Sequence, residues 1–313
     1  MQKGKVYRST GSWYDVKLNN GQFVKARIKG KFRNLSIKTT NPVAVGDEVG
    51  LEFSSNDEAV IKTISERENY IIRRSVNLSK EAHIIASNVD LAVLLATVVD
   101  PITSPGFIDR FTVTAEAYNV PLLIVFNKID IYNEKALSKL SELEEAYDKA
   151  GYDTLRTSVA KNIGMDDFIE KIEGKKVLVS GNSGAGKSTL INQLIPELGL
   201  KTGSISKSHS TGKHTTTFAE MFDMNDHTKI IDTPGIKGFG LVDFENDELA
   251  RYFPEMLKLL GECKFHNCRH LNEPGCSVLK SLENGDFSIT RYNSYVAMYQ
   301  QDDEVNYRQN NYS

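Results

Sequence analysis

Gly181-Asn182-Ser183-Gly184-Ala185-Gly186-Lys187-Ser188, followed by Thr189, stands between the apolar run KKVLVS and a segment, Lys187–Leu194, with helical periodicity. A glycine-rich turn between strand and helix aims successive backbone N–H groups and the helix N-terminus at one point, a cradle for phosphate oxygens. The pattern GxxxxGK[ST] also lets Lys187 reach the β- and γ-phosphates of a nucleotide and lets the Ser188 hydroxyl ligate Mg²⁺. The unit demands a strand, a loop and a helix in that order, so the centre of the chain should be α/β. The flanking sequence agrees. Leu91–Val99, Val120–Phe126, Tyr152–Thr157, Lys176–Ser180, Phe218–Met224 and Lys229–Ile231 read as strands. Phe107–Tyr118, Glu134–Ala150, Met165–Ile172 and Lys187–Leu194 read as helices between them. Strands alternating with helices predict a parallel sheet covered on both faces, with ligands at the C-terminal ends of its strands.

Two further segments fall at strand ends. Asn127-Lys128-Ile129-Asp130 follows the strand VPLLIVF. The Asp130 carboxylate can accept from both N1–H and the 2-amino group of guanine, a donor pair that adenine lacks, so this acid selects GTP over ATP. Asn127 is expected at the guanine edge, with the Lys128 stem covering the base. Asp232-Thr233-Pro234-Gly235 follows the strand KIID; Asp232 is expected in the Mg²⁺ shell through water, and the Gly235 N–H at the γ-phosphate. These loops resemble those of the Ras-like GTPase superfamily, but their order is changed. There the phosphate loop comes first and NKxD late, whereas here residues 127–130 precede residues 181–188. A circular permutation accounts for this, because rejoining the old ends leaves every loop at the same edge of the sheet. The chain then leaves the GTPase core just after Gly235, so the region that reports the γ-phosphate runs on into the C-terminal part.

The same resemblance places a first switch at Gly212-Lys213-His214-Thr215-Thr216-Thr217. Thr216 is favoured as the hydroxyl that ligates Mg²⁺ when the γ-phosphate is present, with Thr215 and Thr217 as alternatives. Ile236 stands where many GTPases carry a Gln that orients the attacking water. Isoleucine cannot do so, and His214 is the candidate substitute. Slow unstimulated turnover follows, with a partner ordering the switch. Thr157-Ser158-Val159-Ala160-Lys161 resembles the family's base-closing Ser-Ala-Lys with one residue inserted, which assigns Ser158 to the nucleotide site.

The ends of the chain read differently. From Gly4 to Ser65 short alternating runs are separated by turns, among them Asn19-Asn20-Gly21, a hairpin signal, and the spacing suggests a five-stranded OB-like barrel. The net charge of −3 hides an asymmetry: residues 1–75 hold 14 Lys/Arg against 8 Asp/Glu, leaving 24 against 33 for the rest. The first 40 residues carry ten basic side chains and one acid, Asp15. Such a stripe suits a phosphate-backbone partner, though a solvated sheet face would look the same. Glu66–Lys80 is charged and irregular and reads as a linker. After residue 245 the sequence predicts an amphipathic helix over Asp247–Leu260, a Cys/His cluster, a last helical stretch with Arg291–Tyr295, and a polar tail from Gln300 that frays. The expected division is a barrel over 1–66, a linker over 67–80, a permuted GTPase domain over 81–243 and a mainly α, zinc-binding domain over 244–313.

All three cysteines lie in Cys263-x4-Cys268-x-His270-x5-Cys276. Three Cys and one His form a closed tetrahedral set for structural zinc, with His266 as the rival fourth ligand. An odd cysteine count with no apolar stretch near the N-terminus excludes a disulfide framework and points to reduced thiols in the cytoplasm. The longest apolar run, Leu91–Val99, is too short to cross a membrane.

Barrel, NKxD ahead of GxxxxGKS, the switch GKHTTT and the zinc spacing together resemble the ribosome small subunit-dependent GTPase A (RsgA) family over nearly the whole chain. The resemblance implies a cytoplasmic, monomeric GTPase that uses GTP/GDP with Mg²⁺ and one structural Zn²⁺. It also implies binding to the small ribosomal subunit and its rRNA, stimulation of hydrolysis by that subunit, and a role late in its maturation. Two other classes fit parts of the sequence: a P-loop small-molecule kinase, and an RNA-binding protein that holds GTP as a structural switch.

Overall fold

The structure, a computed structural model, describes residues 1–28, 42–53, 59–74, 82–200, 219–233 and 246–310. Strands β1 (Gln2–Ser9), β2 (Tyr14–Leu18), β3 (Phe23–Ile28), β4 (Glu48–Phe53) and β5 (Ala59–Ile64) follow the turn signals of the sequence. They pair in the order β1-β2-β3-β5-β4, and β4 returns to β1 to close a five-stranded barrel. Inward-facing Val6, Tyr14, Val16, Leu51 and Ile61 fill it. The turn after β2 places Gly21 at φ 87°, which the Asn-Asn-Gly sequence accommodates. Several of the barrel's cations are paired rather than bare: Lys5 with Glu48, Lys17 with Asp223 and Lys62 with Glu52.

Over its described residues, up to Arg74, the segment expected to be an irregular linker contains a strand. Within it β6 (Tyr70–Arg74) pairs antiparallel with β7 (Ala82–Ser87), because Ile71 and Ile72 meet Ala86 and Ile84 across a hairpin whose apolar content outweighs its flanking charges. One of its charges, Arg67, is also engaged. Arg67 makes a two-pronged ion pair at 2.7 Å with the fully buried Asp47, which also accepts from the Ser87 hydroxyl and the Ala44 N–H. This carboxylate therefore clasps barrel and hairpin together.

The central sheet contains β8 (Leu91–Ala96), β9 (Leu122–Phe126), β10 (Asp153–Arg156), β11 (Lys176–Gly181), β12 (Glu220–Asp223) and β13 (Lys229–Asp232). Its order is β10-β9-β8-β11-β13-β12, parallel except for β12 at the edge. Along β8, Ala92, Leu94 and Ala96 pack towards α1 (Pro105–Ala117) and α2 (Glu134–Ala150), while Val93 and Leu95 pack towards α3 (Met165–Ile172) and α4 (Lys187–Leu194). Burial on both faces explains the uninterrupted apolar run seen in the sequence. At the far edge β12 also pairs with β1, with Arg8 opposite Glu220, so barrel and central sheet form one array of eleven strands.

The single helix expected over Asp247–Leu260 is divided. A 3-10 segment, Asn246–Tyr252, ends at Phe253, whose φ −109° and ψ 103° are extended, and α5 (Pro254–Leu257) follows. Pro254 has no N–H to continue the ladder and excludes helical backbone at the residue before it. After α6 (Ser277–Glu283), α7 runs from Ile289 through Asn310, past the point where fraying was expected. No Gly or Pro interrupts that stretch.

Arg291 on α7 fastens this C-terminal part to the central domain. Fully buried, it donates to Asp109 of α1 at 2.7 Å and pairs with Glu255 of α5, and its guanidinium lies 5.0–5.5 Å from the ring centres of Tyr147, Tyr152 and Phe253. Arg291→Ala would leave two acids without their counter-ion. It should destabilise the protein by about 3–5 kcal/mol, read as a clear fall in Tm.

Candidate nucleotide site and metal centre

Because β9, β8, β11 and β13 are adjacent and parallel, the loops that follow them meet at one edge of the sheet. The loop after β11 holds the phosphate motif. Gly186 caps α4 at φ 105°, where a Cβ would also stand 2.4 Å from Asn127 Nδ2. A Cβ on Gly181 would meet the Leu95 carbonyl at 2.6 Å. Gly186 is required by its left-handed backbone as well as by a close neighbour, and Gly181 by its close neighbour alone. Ala185 is buried, whereas Asn182, Ser183, Gly184, Ser188 and Thr189 remain partly or fully accessible around the start of α4. These accessible residues carry backbone N–H groups and the Ser188 hydroxyl, a donor set that fits a phosphate chain and its cation.

Lys187 donates to Asp232 and to the Thr233 carbonyl. The phosphate-loop lysine and the β13 aspartate thus lie within one contact. Burial pushes the Asp232 carboxyl above its usual range, and the Lys187 ammonium opposes that. Thr233 is itself anchored through its hydroxyl to the Val179 carbonyl at 2.9 Å.

The base-selecting loop differs in one respect from its sequence reading. The Asn127 carboxamide, buried, is used by the protein: Nδ2 donates to the Ala185 carbonyl at 2.9 Å, and Oδ1 accepts from Val159 N–H at 3.1 Å and Thr157 Oγ1 at 3.2 Å. It joins the phosphate loop to the loops after β9 and β10 rather than projecting simply to a base edge. Lys128, in left-handed backbone, sends its ammonium to the Asp100 carbonyl at 2.6 Å, and Ile129 follows in a short 3-10 turn. Ser158, fully buried, donates to Asp130 and accepts from Lys161 N–H, so the acid that would read guanine is held from behind. His214, Thr215, Thr216, Thr217 and Gly235 lie outside the described residues.

Tyr132 was not visible as a site residue. Its hydroxyl accepts from Val98 N–H and donates to the Asn127 carbonyl, both at 2.7 Å, pinning the base loop to the end of β8. Its only sequence signal is a polar aromatic five residues after Asn127.

The second cluster brings Cys263, Cys268, His270 and Cys276 together, with all ligand atoms within 4.8 Å of one another. His270 Nδ1 lies 3.6 Å from Cys263 Sγ and 3.5 Å from Cys276 Sγ. Tetrahedral zinc with Zn–S near 2.3 Å and Zn–N near 2.0–2.1 Å separates such atoms by about 3.5 Å, so the set fits zinc. Burial holds His270 below its ordinary pKa, which keeps the ring neutral and its nitrogen able to ligate. His266 is exposed and outside the cluster. Around the ligands, Glu273 accepts from Arg269, Leu271 and Asn272 N–H groups. Tyr292 and Tyr295 of α7 donate to the carbonyls of His270 and Arg269 at 2.9 and 2.7 Å. These three side chains carry no motif; only their place beside the cysteines hints at them.

A parallel sheet whose phosphate loop, base-selecting loop and Asp232-Thr233 strand end converge at one edge, in permuted order, defines a P-loop GTPase with a Cys₃His module. Comparison with known proteins agrees. The RsgA GTPase family model matches residues 64–242 and the RsgA N-terminal domain model residues 3–61. The small ribosomal subunit biogenesis GTPase RsgA of Christiangramia forsetii is 52% identical, covering 99% of both chains; that of Flavobacterium johnsoniae is 52% identical, covering 96% of this chain and 94% of its own. Among solved structures, YjeQ from Thermotoga maritima superposes with a TM-score of 0.76 at 32% identity, covering 96% of this chain and 98% of its own. YloQ, described as a circularly permuted GTPase, gives 0.72 at 28% identity, covering 97% and 96%. The chain belongs to the RsgA GTPase family and is a GTP hydrolase.

Two outcomes test the geometry. Gly186→Ala should weaken GDP binding roughly tenfold or more, because left-handed backbone with a Cβ costs about 1–2 kcal/mol before the clash with Asn127 is counted. Metal analysis should find one zinc per chain that is lost in His270→Ala and kept in His266→Ala.

Proposed function

We propose that this protein binds the small ribosomal subunit late in its maturation and hydrolyses GTP to GDP and phosphate when that subunit stimulates it. The observation that carries the reading is agreement over nearly the full length, barrel and zinc module included, with relatives named small ribosomal subunit biogenesis GTPases. The division is that of the sequence: a barrel over 1–66 that binds rRNA, a GTPase domain over 81–243, and a zinc module over 244–313. No helix among the described residues is long and apolar enough to cross a membrane. A cytoplasmic monomer is the form we assign.

In the site, Lys187 reaches the β- and γ-phosphates, the N–H groups of residues 181–189 cradle the phosphate chain, and Asp130 reads the guanine edge. The Lys128 stem covers the base. Ser188 and Thr216 ligate Mg²⁺, Asp232 binds it through water, and the Gly235 N–H contacts the γ-phosphate. Asn127 and Ser158 hold these loops in register. His214 orients the attacking water. The Cys₃His set binds zinc with no open position, so its role is structural.

The test is GTP hydrolysis with and without purified small subunits, using Lys187→Ala as the blank. Subunits should accelerate turnover strongly, ATP should not substitute, and binding should weaken with salt as Lys/Arg contacts release counterions. His214→Ala should lose most of the stimulated rate; full retention would remove His214 from the mechanism.

A further inference from the structure

Between the barrel and the central sheet lies a cleft of about 480 Å³, lined by Tyr7, Arg8, Asp15, Phe23, Lys25 and Glu220 among others. That volume falls within the roughly 300–1,000 Å³ of small-ligand pockets. Its floor is a single cross-strand row. Lys25 of β3 stands opposite Asp15 of β2, Asp15 opposite Arg8 of β1, Arg8 opposite Glu220 of β12, and Glu220 opposite Asp232 of β13. Directly opposed residues project to the same face, so the row alternates in charge from Lys25 to Glu220 and ends on a second acid, the Asp232 that contacts Lys187.

The charges are layered by depth. Arg8 and Lys25 are exposed, whereas Asp15 and Glu220 are half-buried. Arg8 pairs with Glu220 only at 3.9 Å, an ion pair without a hydrogen bond, and its side chain stays accessible at the opening. The third acid of the cleft, Asp223, is already neutralised by the Tyr7 hydroxyl at 2.7 Å, Lys17 at 2.6 Å and Lys229 at 3.2 Å. Beside the cations, the Phe23 ring is 54% exposed, yet it is fixed edge-on by Tyr7 at 5.1 Å, with the Lys17 ammonium 5.7 Å away. A rigid exposed ring next to two exposed cations and two half-buried carboxylates matches one ligand chemistry. Phosphates would sit at the rim, a base would stack on the ring, and the amino group of that base would point to the acids.

We propose that this seam cleft binds a single unpaired RNA nucleotide whose base carries an amino group, and that the row from Arg8 through Glu220 to Asp232 reports its occupancy to the GTPase site. A phosphate on Arg8 draws that cation from Glu220, and the uncovered carboxylate then acts on its cross-strand neighbour Asp232. The proposal rests on the reading of the chain as a subunit-stimulated GTPase, and it supplies the contact through which RNA acts on turnover.

The test has two arms, both with the full chain. In the first, fluorescence anisotropy measures binding of labelled hexacytidylate across a salt series. Arg8→Gln and Lys25→Gln should each make the slope of log K against log salt shallower by about 0.7. Phe23→Ala should weaken binding roughly tenfold with an unchanged slope, and Phe23→Tyr should restore it. Hexauridylate, which has no amino group, should bind less tightly. In the second arm, the ratio of subunit-stimulated to unstimulated turnover should fall at least tenfold in Arg8→Gln and in Glu220→Gln. It should stay at the wild-type value in Lys139→Gln, a surface control on α2. Circular dichroism of each variant shows that the fold is intact. Wild-type binding and ratios in the Arg8, Lys25 and Phe23 variants would overturn the proposal. A wild-type protein that subunits do not stimulate would overturn the functional reading instead, and the oligonucleotide arm would still decide the cleft.

Discussion

The buried carboxamide of Asn127 is the joint on which the nucleotide site depends. It spans three loops that are far apart in the chain, one after each of β9, β10 and β11, and the glycine at 186 exists partly to make room for it. A side chain with both a donor and an acceptor end is required at that point, because the loops offer it a carbonyl on one side and an N–H on the other. Leaving either group unmade in a dry interior would cost about 1–3 kcal/mol. The arrangement forms only if β9, β8 and β11 are parallel neighbours, so the strand order of the sheet and the geometry of the site express the same constraint.

This explains why the permuted chain order is compatible with an intact site. Strand adjacency, not chain order, determines which loops meet. The phosphate strand sits at the centre of the sheet although it is the fourth of its strands to be synthesised, and the segments that precede and follow it reach it from both sides. What permutation does change is the fastening of the outer parts. The barrel is held by the Arg67–Asp47 clasp and by β12, and the C-terminal helices by Arg291 against Asp109 and Glu255. Both fastenings are buried ion pairs, which demand good geometry and so specify one docking orientation more than they add stability.

Motifs that combine backbone need with chemistry were legible in the sequence: the glycines of the phosphate loop, the Asn-Lys-Ile-Asp run, and four metal ligands within fourteen residues. Helices with clear caps were legible too, as at α2, where Asn133 caps the start and Gly151 the end. What escaped notice were groups whose role arises only from tertiary neighbours. Arg67 and Arg291 were given no role because nothing local announces the acids they meet, 20 and 182 residues away in the chain. Tyr132 and Glu273 serve backbone groups, and a backbone group has no signature in sequence. Pro254 did announce a break, but the amphipathic periodicity around it suggested a continuous helix.

The continuity of the eleven-stranded array has a practical side. On the edge away from β2, strand β1 divides its pairing between β4 within the barrel and β12 outside it. If the gene were split at the hairpin, each half would carry a raw sheet edge, at Arg8 in one piece and at Glu220 in the other. Unpaired edges of that kind recruit foreign strands and drive aggregation. The two halves are thus mutual guardians of solubility, and the barrel is better regarded as the closing flank of the GTPase sheet than as a detachable module.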